Sequence, residues 1–166
     1  MSDANIHKIK QKISEKGIKI NPIVPITAIR EFEKRNEIIL PEELMEFYTL
    51  IGNGGKMIDD FSLKSFDELE IDIEKVKKAF PFTAFWVWED GDEHKDGNME
   101  DVCKGNIELI DIGCGQTWNI IVTGKERGQM WNFTDVGIQP CVPKRNFLSW
   151  YEYWLDGNDD YFAEFR

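Results

Sequence analysis

Two histidines in 166 residues, His7 and His94, leave little for imidazole chemistry. His7 falls in a lysine-rich N-terminal segment and His94 in an acidic loop, so no Cys-His or Ser-His pair can be read. The three cysteines, Cys103, Cys114 and Cys141, are odd in number and lack CxxC or zinc-ligand spacing. Reduced thiols in a cytoplasmic protein are expected. The opening "MSDANIHKIKQKISEKG" has no apolar core of roughly 7 to 15 residues as in a signal peptide. No later run approaches the roughly 20 apolar residues of a membrane span. Phosphate-binding signatures are missing too: nothing matches GxxxxGK[ST], and no GxGxxG opens a helix. Basic residues are the scarcer charge, 20 Lys and Arg against 31 Asp and Glu, for a net charge of −11. Such a surface repels nucleic acid and anionic lipid at long range and attracts a basic partner.

What is present suits one globular domain, since 42% apolar content over this length supplies a core that folds without staples. Ile6, Ile9 and Ile13 recur at helical spacing, which predicts a short amphipathic N-terminal helix ending at Gly17. Thr27 is placed to cap a helix presenting Ile29 and Phe32 and running to about Asn36. The next helix opens on Pro41, Glu42 and Glu43, shows Leu44, Phe47, Tyr48 and Ile51 on one face, and stops at Gly52. "MIDDFSL" reads as a short strand, "DIEKVKKAF" as a helix and "FPFTAFWVW" as a strand. "VGIQPCVP" leads to a last helix capped by Asn146, with Phe147, Trp150, Tyr151 and Trp154 on one face and Gly157 as its stop.

"GNIELIDIGCGQTWNIIVTGKERGQMW", Gly105 to Trp131, opens three strands: Ile107 to Ile112, Trp118 to Thr123, and Gln129 onward to Phe133. Their short connections fit antiparallel pairing. Gly113 and Gly115 are placed at a sheet corner, and Gly124 and Gly128 bracket "KER" as a hairpin loop. Helices at both ends enclosing a run of strands make the fold α+β.

In this order, "LPEELMEFYTLIGNGG", "FPFTAFWVWED", the stretch from Gly105 to Trp131, "DVGIQPC" and "FLSWYEYWLDG" resemble the SUKH superfamily. That group includes toxin-immunity proteins and cell-wall regulators of Smi/Knr type. The resemblance covers about Ile26 to Gly157. It implies a single α+β domain with a bent, mixed, largely antiparallel sheet flanked by helices, and a non-enzymatic role in binding proteins. The helix before Gly17 and the acidic loop after Trp88 lie outside the shared pattern.

That loop, Glu89 to Asp101, carries seven acidic residues against one lysine. An EF-hand register from Asp90 puts Lys95 at the glycine position, and one from Asp92 ends on Cys103 rather than glutamate, so no calcium site is expected. No other metal or cofactor is expected either. Asp111, beside the glycine turn, reads as a strand-end hydrogen-bond acceptor rather than a general base. Six tryptophans stand at 86, 88, 118, 131, 150 and 154, most of them expected in the core. Aromatics left exposed beside acids make protein-binding anchors. The candidate partner-binding residues are therefore Trp86, Trp88, Trp118 and Trp131, with Glu89, Asp90, Asp92, Glu93, Asp96, Asp111, Asp135, Asp156, Asp159 and Asp160. The function expected is that of an immunity protein occluding a basic, nuclease-type toxin. A Smi/Knr-type scaffold with an endogenous partner and an unrecognised hydrolase are the alternatives.

Overall fold

The computed structural model describes residues 2–87 and 99–163. Helix α1 (Ser2–Glu15) seats Ile6, Ile9 and Ile13 in the core, and Lys12 Nζ reaches Glu152 at 2.7 Å and Asp156 at 2.6 Å. Helix α2 (Ile26–Asn36) begins two residues earlier than predicted. Pro25 occupies the cap position, and Thr27 lies within the first turn. Proline suits that place because the amide it lacks would have had no helical partner.

Helix α3 (Glu42–Glu46) does not continue as a regular helix. Phe47–Ile51 widen into a π turn, closed by the Gly52 amide on the Phe47 carbonyl at 2.9 Å. Leu44, Phe47, Tyr48 and Ile51 are nonetheless all buried, as their spacing predicts. A small hairpin, β1 (Gly55–Lys56) with β2 (Ser62–Leu63), follows, then α4 (Ile73–Val76), whose cap Asp72 accepts from the amides of Glu74 and Lys75.

The main sheet has five strands in the order β3-β7-β6-β5-β4, every neighbouring pair antiparallel. Its members are β3 (Trp86–Val87), β4 (Asn106–Gly113), β5 (Gln116–Ile121), β6 (Met130–Phe133) and β7 (Gly137–Pro140). Within the described residues, "FPFTAFWVW" supplies only the two-residue β3, while the segment read as a lead into the last helix is a strand in its own right. Alternation along the strands feeds two cores. Ile110, Trp118, Ile120 and Met130 face the helices, whereas Ile121, Trp131, Phe133 and Ile138 face Phe80, with Phe82, Trp86 and Val102 packed around them. Register shifts after Glu108 and after Asp111 mark bulges in β4.

The last helix, α5 (Phe147–Leu155), has Asn146 at its cap position, but that side chain accepts from Gln129 Nε2 at 2.9 Å. The first turn is instead capped across the molecule: the Leu148 amide donates to Glu43 Oε1 at 3.0 Å. Helix α3 thereby holds the start of α5.

The glycine cluster is a hairpin corner. Cys114 (φ 53°) and Gly115 (φ 74°) are the two central residues of a tight turn flanked by the Gly113–Gln116 pair. Gly105 is more constrained. It is left-handed (φ 61°), and a β-carbon there would stand 2.6 Å from Lys78 O, Phe80 N and Thr123 O. Urea unfolding should therefore grade the two sites. Gly105→Ala should cost about 3 kcal/mol or more, because the clash is with backbone. Gly113→Val should cost about 1 to 3 kcal/mol, from its positive φ and a yielding Phe61 ring. An unchanged midpoint for Gly113→Val would refute the corner assignment.

Candidate functional site

Three segments distant in the chain meet at one end of the sheet and leave a groove of about 190 Å³ between them. Its apolar wall is built from Ile58, Ile112, Trp118, Trp154, Tyr161 and Phe162. Gln116, Asn132, Asn158 and Asp159 complete the lining. Ile58 is placed by the β1–β2 turn, which closes through the Met57 amide on the Phe61 carbonyl and the Phe61 amide on the Ile58 carbonyl, both at 2.9 Å. Ile112 and Gln116 flank the hairpin corner, and Trp154 ends α5. The residues after α5 fold back because Trp118 packs on Tyr161, ring centroids 4.9 Å apart, and lies nearly parallel to Phe162 at 6.0 Å. Burial raises the Tyr161 phenol well above its ordinary pKa, so it stays protonated and donates to the Trp150 carbonyl at 3.1 Å.

One acid lines the groove and others are near its lining residues in sequence. Asp59 and Asp60 form the tip of the β1–β2 turn, Asp111 and Asp135 lie on either side of the hairpin corner, and Asp159 lines the groove itself. Lys56 reaches Asp60 at 3.7 Å, a contact between well-exposed groups that water screens. Asp111 Oδ1 accepts from the Gly113 amide at 2.9 Å, so this carboxylate closes its own turn, as predicted for a strand-end acceptor.

The candidate residues thus separate. Asp159 lines the groove with Asp160 next to it in the chain, Trp118 forms its floor, and Asp111 and Asp135 are not among its lining residues. Trp118 and Trp131 cannot be exposed anchors, however: they are 4% and 0% exposed, Trp118 on the helix side of the sheet and Trp131 on the other. Both faces of the sheet are covered, so alternation buries tryptophans from either phase of a strand. Trp86 is half-buried and stacks on Phe82 at 5.0 Å, away from the groove. Asp156 is engaged by Lys12. Trp88, Glu89, Asp90, Asp92, Glu93 and Asp96 lie outside the described residues. Ile58, Ile112, Phe162, Asp59 and Asp60 escaped sequence reasoning, although "IDDF", two acids between large apolar residues in a turn, carried a local signal.

A second and larger groove, about 330 Å³, lies on the opposite sheet face between α4 and β4. Its polar groups satisfy one another. Thr117 Oγ1 donates to Asn119 Oδ1, Asn119 Nδ2 to Asn106 Oδ1, and Asn106 Nδ2 to the carbonyls of Val102 and Lys104, while Lys64 pairs with Glu108 at 2.7 Å. Ligand binding there would break bonds already made. Among the described residues, no group of three or more His, Cys, Asp or Glu is placed to hold a metal ion, and no helix is long and apolar enough to cross a membrane. Comparison with protein-family models, curated proteins and solved structures finds nothing that matches this chain.

The cysteines report on the same architecture. Cys103 and Cys114 are exposed, whereas Cys141 is buried beneath α5 and burial pushes its thiol up to about 12. A thiol with a raised pKa holds less thiolate at every pH below that value. At about pH 8, a disulfide thiol reagent should titrate Cys103 and Cys114 in the folded protein and Cys141 only after denaturation. Rapid labelling of Cys141 in the native state would contradict this packing.

Proposed function

We propose that the chain is a non-enzymatic protein-binding domain of immunity type, which neutralises a basic toxin in the cytoplasm by covering its working surface. The observation that carries the reading is the aromatic groove with Asp159 in its lining, set in a chain of net charge −11. Partly exposed Trp154, Phe162 and Ile112 offer apolar area to bury, and the surrounding acids exclude acidic competitors while speeding encounter with a cationic surface. Occlusion needs no catalytic group on this chain. The resemblance to the SUKH superfamily points the same way, and it is the ground for choosing a toxin over an endogenous partner.

The partner is sought by co-expression with the neighbouring gene product and by capture from the native host. Binding is then followed by stopped flow at two salt concentrations. Reversing Asp92, Glu93 and Asp96 to lysine should slow association about tenfold and flatten its salt dependence, since exposed charges act by steering. Phe162→Ala, at the groove, should instead speed dissociation about tenfold or more. Rescue of growth from a toxic neighbour supports the immunity reading, whereas an endogenous partner bound at the same groove would make the chain a scaffold. Association indifferent to salt and to the reversals would remove the basic partner altogether.

A further inference from the structure

Building on that reading, we propose that the groove receives one arginine side chain of the partner, its aliphatic stem against the aromatic wall and its guanidinium at Asp159. Size comes first: a space of about 190 Å³ admits a single long side chain and excludes a helix or strand. The wall chemistry comes second. Trp154 and Phe162 are partly exposed over a floor of buried Trp118, and their aromatic surface accommodates an alkyl stem and attracts a cation.

The polar lining decides the head group. Asn132 Nδ2 donates to the Thr117 carbonyl and Asn158 Nδ2 to the Tyr153 carbonyl, both at 3.2 Å. Each of these amides keeps one N–H and its carbonyl oxygen for a further partner. Those carbonyl oxygens and the Asp159 carboxylate put acceptors on three of the lining residues. Guanidinium matches such a set, having five donors and no acceptor in a flat fork. An ammonium brings one compact, strongly hydrated charge and no plane to lay on a ring. An apolar anchor would bury the acceptors and Asp159 against nothing that donates, which penalises it. The chain's net charge of −11 adds field of the same sign.

The test uses the full chain and three small probes, the Nα-acetyl N-methylamides of arginine, citrulline and norleucine, read by the indole N–H resonances of Trp118 and Trp154 in two-dimensional NMR. Arginine should shift both resonances with a dissociation constant in the millimolar range, weakening as salt is raised. Citrulline has the same shape without charge and should bind about tenfold more weakly, and norleucine more weakly still. Asp159→Asn, at an exposed position, should reduce arginine binding about threefold or more while leaving the rest of the spectrum in place. Norleucine or citrulline binding as tightly as arginine, or both indoles unmoved by arginine, would overturn the proposal. A protein partner whose affinity ignores Asp159→Asn and every arginine substitution on its own surface would also sink it, yet leave the immunity reading intact. Probe binding with no protein partner in the native host would do the reverse.

Discussion

The packing of Trp150 against Trp118 and Tyr161 is the constraint on which the rest of the molecule depends. Trp150 is fully buried in α5, its ring 5.6 Å from Trp118 on β5 and 6.1 Å from Tyr161 beyond the helix. Three levels of structure are thereby tied through one cluster: a sheet strand, the helix lying on it, and the chain that returns past the helix end. Aromatic pairs in such inclined or offset geometries contribute about 0.5 to 1.5 kcal/mol each beyond the area they bury. The Tyr161 hydroxyl adds direction by donating to the Trp150 carbonyl. Were that return not fixed, Phe162 and Asp159 would have no defined place, and the groove would lose one wall.

Around the cluster, helix ends are secured by side chains from far away in sequence. Glu43 caps α5 from 105 residues earlier, and Lys12 on α1 bridges Glu152 and Asp156 near the end of that helix. The hydrogen bonds that Lys12 donates to both carboxylates raise its pKa and hold its charge. These contacts are partly exposed, so their value lies in orientation more than in stability. The buried face of α1, Ile6, Ile9 and Ile13, supplies the adhesion.

Much of this was legible in the chain because it is local. The period of Phe47, Tyr48 and Ile51, and of Phe147, Trp150 and Tyr151, reports buried helix faces, and the glycines at 113 and 115 mark a corner that only positive φ can turn. The π turn at Phe47–Ile51 left those side chains inward and so produced no break in the pattern. Burial of Trp131 was hidden for another reason. A strand in a sheet covered on both faces carries large apolar residues in both phases, so the period of two no longer tells inside from outside. The groove was hidden most completely, since Ile58, Ile112 and Phe162 come from three separate segments, and only tertiary contact makes them neighbours.

The distribution of carboxylates separates two uses of the same chemistry. Glu33, Glu43, Glu108, Glu126 and Glu152 are each held by a backbone amide or a cation of this chain, and their charge is consumed in building the fold. Asp59 and Asp60 sit instead in the exposed β1–β2 turn, where Lys56 reaches Asp60 at 3.7 Å, and Asp159 lines the groove. Like charges on one surface repel, which weakens the compact state slightly. A cation seated among them relieves that repulsion at the moment it makes its own contacts. On the proposed reading, a basic side chain relieves that repulsion and an acidic one adds to it, so affinity and specificity would draw on the same few residues.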